Sequence, residues 1–166
     1  MTAIRGSCLC GGVRFELTGP LMRSSHCHCG MCQKQHGAAF RSRTRVSASD
    51  FRWIQGEDLV TFYESTPGSY RGFCRVCGSP VVNKFDERSR SASADPSATS
   101  LLGIALATLD DDPGIRPDAH AFIASKAKVD SRVRSTPPRP SLLRAGAPSP
   151  VILTRVPRYL RCGRDG

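Results

Sequence analysis

The chain has 166 residues, 39% of them hydrophobic and 7% aromatic, and 24 Lys+Arg against 14 Asp+Glu give a formal charge of +10. That length suits one ordinary domain, or a smaller domain with a tail. The longest mostly apolar run, Leu101 to Leu109, falls far short of the roughly 20 residues that cross a bilayer, and the first residues lack the apolar centre of a secretory signal. The expectation is a cytoplasmic protein with no membrane span.

In chain order, Val13-Arg-Phe-Glu-Leu-Thr18 alternates apolar and polar residues and predicts a half-buried strand between Gly11-Gly12 and Gly19-Pro20. Cys27 to Gln35 is cysteine-rich and then polar, a metal knuckle running into a short helix. Ala38-Ala-Phe40, Thr44 to Ala48 and Phe51 to Ile54 are strand material. Gly56 and Asp58 mark a turn before Leu59-Val-Thr-Phe-Tyr63, which is rich in β-branched and aromatic residues. Thr66-Pro-Gly-Ser69 is a turn, flanked by extended segments at Tyr70 to Cys74 and Pro80 to Phe85. Asp86 to Ser100 has almost nothing to bury and predicts a mobile loop. Leu101 to Ala107 predicts a buried strand, with helix as the competing reading. Asp110-Asp-Asp-Pro-Gly114 is a solvated turn, and Ala119 to Ala124 is the last core strand. There is no long 3.6-residue stripe and no repeat, so the fold class is mainly β.

Charge is uneven along the chain. Residues 129–166 hold 8 Arg and 2 Asp, and half of the 12 prolines. This predicts a domain over 1–128 and a basic, Pro-rich, poorly ordered or divergent tail over 129–166. Such a tail could neutralise phosphates, but it has little aromatic interleaving and no RNA-binding fingerprint, so a solvated tail outweighs nucleic-acid binding.

Eight cysteines form three groups and a singleton: Cys8-Leu-Cys10, Cys27-His-Cys29-Gly-Met-Cys32, Cys74-Arg-Val-Cys77-Gly, and Cys162 in the tail. In a reducing compartment such clusters read as metal ligands rather than disulfides. Two thiolates one or two residues apart bind one zinc, because a tight turn aims both sulfurs at a point. Joining Cys8/Cys10 with Cys74/Cys77 makes a closed four-sulfur site. Cys27, Cys29 and Cys32 then make a three-sulfur site with room for a fourth ligand, the layout of a reactive zinc. The other pairing would put five sulfurs at one centre and strand a pair. Arg71 and Arg75 flank a cysteine pair and read as charge balance for its thiolates. His26 and His28 alternate with Cys27 and Cys29, so on an extended backbone they point away from the sulfurs. His36, four residues after Cys32 on a helix, is the candidate for a fourth ligand or a proton donor. His120 reads as a packed or pocket-lining histidine. Phe51 and Trp53 read as core.

Three segments resemble the glutathione-dependent formaldehyde-activating enzyme family, which is grouped with centromere protein V. They are Gly6-Ser-Cys-Leu-Cys-Gly-Gly-Val-Arg-Phe15, Cys27-His-Cys-Gly-Met-Cys-Gln-Lys-Gln-His-Gly-Ala-Ala-Phe40 and Arg71-Gly-Phe-Cys-Arg-Val-Cys-Gly-Ser79. The likeness continues through Thr108 to Pro113 and His120 to Lys126. It implies a β-tent-like fold of small antiparallel sheets. It also implies a structural zinc on Cys8, Cys10, Cys74 and Cys77 and a second zinc on Cys27, Cys29 and Cys32. The family name implies addition of glutathione to formaldehyde, giving S-(hydroxymethyl)glutathione. After Lys126 the family pattern of an aromatic residue and an acidic stretch is replaced by Ala127-Lys-Val and the Arg/Pro tail, as an out-of-frame or divergent end would read.

The expected function is therefore a carbon–sulfur lyase or synthase with two zinc ions, acting on a thiol such as glutathione and an aldehyde. Cys27, Cys29, Cys32 and His36 are its candidate catalytic residues. The alternative is a non-enzymatic two-zinc module that contacts nucleic acid or a protein partner. The two differ in the fourth ligand at Cys27/Cys29/Cys32: a protein side chain for the module, and water, anion or thiol for the enzyme.

Overall fold

A computed structural model describes residues 3–89 and 96–129. In chain order its regular elements are β1 (Ile4–Ser7), β2 (Arg14–Leu17), β3 (Ser25–Cys27), α1 (Gly30–His36), β4 (Arg41–Ser47), β5 (Phe51–Gln55), β6 (Val60–Thr66), β7 (Ser69–Cys74), β8 (Pro80–Phe85), β9 (Leu101–Ala105) and β10 (His120–Ala121). The fold is mainly β, as the composition and turn pattern predict. Met1–Ala127 form one unit, and the second, Lys128–Gly166, is described only at Lys128 and Val129. The expectations for the basic tail and Cys162 otherwise lie outside the described residues. No helix among the described residues is long and apolar enough to cross a membrane.

Two sheets carry the fold. One is β1-β2-β5, antiparallel throughout. The other runs β10-β3-β4-β9-β8-β7-β6, antiparallel except for the β10–β3 pair. The alternation in β2 buries Phe15 and Leu17, while Arg14 is exposed and Glu16 half-buried. Phe15 stacks on Phe51 of β5 at 5.3 Å, and Trp53 meets Phe51 edge-on at 4.6 Å. Val13, Val46, Val81, Val82 and Ile104 complete the core together with two cysteines, Cys8 and Cys74. The first cysteine set is thus seated in the hydrophobic core itself.

Several expectations change in three dimensions. Ala38–Phe40 is not a strand: α1 ends at Gly37, whose left-handed backbone (φ 54°) donates its N–H to Gln33 O and turns the chain before β4. Ile4–Ser7, which has little local signal, is a strand because it pairs with β2 across the Cys8–Gly12 turn. The Asp86–Ser100 segment is less bare than its composition suggests. Ser89 and Ala98 are fully buried on either side of residues 90–95, which lie outside the described set. Leu101 to Ala107 is strand to Ala105 and then a 3-10 turn over Leu106–Thr108. The expected strand at Ala119–Ala124 shrinks to His120–Ala121. Phe122 then takes a left-handed backbone (φ 59°), and Ile123–Ser125 is a 3-10 turn. The acidic turn is pinned rather than free. Asp110 accepts from Ser7 Oγ at 2.8 Å, and Asp111 from Arg5 N, Nε and Nη2 at 2.9, 3.0 and 2.9 Å.

Candidate functional site

Two cysteine clusters could hold metal: Cys8, Cys10, Cys74 and Cys77, and separately Cys27, Cys29 and Cys32. Within each cluster the sulfurs all lie within 4.8 Å of one another. In the first, the turn after β1 meets the turn between β7 and β8. Cys8 Sγ is 3.4 Å from Cys10 Sγ, and Cys10 Sγ is 3.9 Å from Cys74 Sγ. A tetrahedral zinc with bonds of about 2.3 Å needs sulfurs about 3.8 Å apart, so the spacing fits the ion. The second turn closes through Gly78, whose φ of 76° suits glycine and lets its N–H donate to Cys74 O at 2.8 Å. Around the sulfurs, Val13 N donates to Cys8 Sγ at 3.3 Å and Cys77 Sγ to Ser79 Oγ at 3.3 Å.

The second cluster is built from one short segment. Cys27 ends β3, Cys29 caps α1 by accepting from Cys32 N at 3.4 Å, and Cys32 lies on the first turn of α1. Among the described residues, no fourth His, Cys, Asp or Glu joins this group. The Cys32 thiol is pulled down to about 4 by the hydrogen bond from Cys27, helped by Cys29, Arg41 and Arg71, against the effect of burial. Cys27 is correspondingly pushed up.

The three sulfurs line a cavity of about 510 Å³. Its walls come from β4 (Arg41, Arg43, Thr44, Arg45), β7 (Ser69, Tyr70, Arg71), β8 (Asn83, Phe85) and Phe122. Arg41 is 4% exposed and donates to Gly103 O at 3.3 Å. With the Asn83 amide turned to face it, Arg41 Nη1 also donates to the Asn83 oxygen at 2.6 Å. Burial lowers this guanidinium to about 10, so it stays charged at neutral pH. Arg71 donates from Nη1 to Gln35 Oε1 at 2.5 Å and to Cys32 Sγ at 3.9 Å.

The sequence model of the family described as "Glutathione-dependent formaldehyde-activating enzyme" matches residues 3–125. The chain belongs to this family. A curated protein of Halomonas elongata, provisionally named as a glutathione-dependent formaldehyde-activating enzyme, is 29% identical over 92 residues, 51% of this chain. The chain spans 57% of that relative's length. A crystal structure of a Rhodobacter sphaeroides protein superposes with a TM-score of 0.53 at 22% identity, covering 70% of this chain and 99% of that one. At that identity the likeness speaks for the fold alone.

In this family member the two cysteine sets gather as their spacing predicts, whereas the basic and aromatic residues fall differently. Arg71 reaches Cys32, in the cluster other than the pair it precedes. Arg75 meets Asp58 at 3.9 Å. His36 does not line the cavity, and burial with Arg41 and Arg71 nearby lowers it to about 4, so it is neutral at physiological pH. His28 is buried, with Nε2 2.8 Å from Nδ1 of the exposed His120, and both rings stack at 5.1 Å. Gln33, unremarked in the sequence, donates from Nε2 to His28 O at 2.6 Å and Ser125 O at 2.8 Å, which fastens the β10 segment to the cysteine knuckle. The Arg41-x-Arg43-x-Arg45 alternation is the local signal for the cationic wall, since period two sends all three to one face of a strand. Phe122 has no comparable signal.

Proposed function

We propose that this family member is a zinc-dependent carbon–sulfur lyase that joins and separates a glutathione-like thiol and formaldehyde or a related small aldehyde. Cys8, Cys10, Cys74 and Cys77 hold a structural zinc, and Cys27, Cys29 and Cys32 hold the reactive one. The observation that carries this reading is the second cluster: three thiols and no fourth protein ligand among the described residues, at the wall of a cavity sized for a small molecule. Bound there, a zinc ion would lower the pKa of an incoming thiol so that it is held as thiolate near neutral pH.

The reaction adds R–SH across the carbonyl. A C–S bond forms, the C=O π bond opens, and the thiol proton ends on the new hydroxyl oxygen. Formaldehyde needs little activation, so the chain's residues chiefly position the partners and exclude water. Arg41 and Arg71 offset the thiolate charge beside Cys32. Phe85 and Phe122 supply apolar walls, and the hydroxyls of Thr66 and Ser69 line the same space and offer exchangeable protons. Neutral His36, away from the lining, supports the shell around Cys32 rather than donating as imidazolium.

The test is exchange NMR of ¹³C-formaldehyde with S-(hydroxymethyl)glutathione over zinc-loaded full-length protein. Exchange should accelerate well above the uncatalysed rate and return to it in Cys29→Ala. Wild-type exchange equal to the protein-free control, in protein carrying two zinc ions per chain, would leave the non-enzymatic zinc module as the better account.

A further inference from the structure

The cavity beside Cys32 has an unbalanced charge. Among the described residues, four arginines line it, Arg41, Arg43, Arg45 and Arg71, and no Asp or Glu does. Among the described residues, Arg41, Arg43 and Arg71 form no ion pair with a carboxylate. Their hydrogen bonds end on neutral groups: Gly103 O and the Asn83 amide for Arg41, Ser25 Oγ at 3.4 Å for Arg43, and Gln35 Oε1 for Arg71, besides its long contact to Cys32. The Nε atoms of Arg41 and Arg71 are buried without a partner. Taking a cation from water without an anion is unfavourable, and an unpartnered buried donor adds to the cost. The cysteines return little of this, because three thiolates around a divalent ion carry a net charge of only about −1. Most of the positive charge on Arg41, Arg43 and Arg71 is left for whatever enters the cavity.

Glutathione answers this charge imperfectly. Its two carboxylates suit the guanidinium groups, but its ammonium finds no carboxylate among the described wall residues. We propose that the cavity selects a polyanionic thiol: one with at least two negative groups and no cation within reach of the walls, taken in preference to zwitterionic glutathione, with Arg43 a specificity-determining residue. This rests on the thiol–aldehyde reading above. Arg43 is half-buried on β4, donates to Ser25 Oγ and, among the described residues, pairs with no carboxylate. A substrate carboxylate at Arg43 would therefore displace no protein anion.

The test is calorimetric titration of zinc-loaded full-length protein with three thiols of one skeleton: glutathione, its N-acetyl derivative, which replaces the ammonium by a neutral amide, and its diethyl ester, which removes both carboxylates. The N-acetyl compound should bind about tenfold tighter than glutathione and the ester at least about tenfold weaker. Both gaps should narrow in 0.5 M salt and in Arg43→Gln, with Arg45→Gln as the second variant if the first does not fold. Equal affinities for the three thiols, or tightest binding of the ester, would overturn the selectivity. The same thiols are run in the formaldehyde exchange assay. Acceleration without charge preference keeps the proposed reaction and rejects the polyanion. Competition by sulfur-free glutarate that depends on Arg43, with no acceleration for any thiol, rejects the reaction and keeps the anion site.

Discussion

Removing one ligand from each cysteine set should have unequal consequences. Cys10 and Cys74 stand 64 residues apart, so a metal on the first set closes a loop of that length. The chain-entropy relation for a cross-link puts the closure of such a loop at about 4 kcal/mol, and that of the five-residue Cys27–Cys32 loop at about 2 kcal/mol. Cys74 is fully buried in the hydrophobic core, whereas Cys29 is half-buried beside the cavity. A domain's total stability is about 5–15 kcal/mol, and a structural zinc contributes on the order of 10 kcal/mol. Cys74→Ser should therefore unfold the domain or lose at least about 4 kcal/mol. Cys29→Ala should keep a cooperative melt and close to one zinc per chain. The assay is metal content by atomic emission, with circular dichroism followed through a urea titration of each variant. Equal loss in the two variants, or a Cys74→Ser protein that melts like the wild type without zinc, would refute the division into a fold-holding and a reactive site.

Phe122 combines a left-handed backbone, 62% exposure and a place on the cavity wall. That backbone costs a non-glycine residue roughly 1–2 kcal/mol, so Phe122→Gly should change stability by no more than about 1 kcal/mol once the freer unfolded chain is counted. It should raise the KM for thiol several-fold in the exchange assay, and a stability loss above about 3 kcal/mol would show a packing role instead. The Arg5 hydrogen bond and charge hold the Asp111 carboxyl down to about 2, below its ordinary value near 4. Its contribution is therefore complete above about pH 4 and is lost as pH falls toward 2, and Asp111→Asn should flatten urea stability across that window while leaving the slope near neutrality unchanged.

What the sequence by itself determined was local. The C-x-C, C-x-x-C-G and C-x-C-x-x-C spacings declare their ligand sets because neighbouring residues on a tight turn cannot avoid one another. The alternation around Phe15 and the β-branched run at Leu59 to Tyr63 declare strands for the same reason of short range. Even the division of seven cysteines into four and three followed from counting sulfurs. The cavity was decided by the tertiary structure. Pairing of β4 with β9 and of β7 with β8 sets Arg41 and Arg71 against Cys32, though 30 residues of sequence separate the two arginines. Arg71, three residues before the Cys74 strand end, reaches Cys32 of the other cluster. Phe122 reaches the wall only because β10 pairs with β3 and Gln33 fastens the turn behind it. Such placements depend on register and on long-range closure, which no window of neighbouring residues contains.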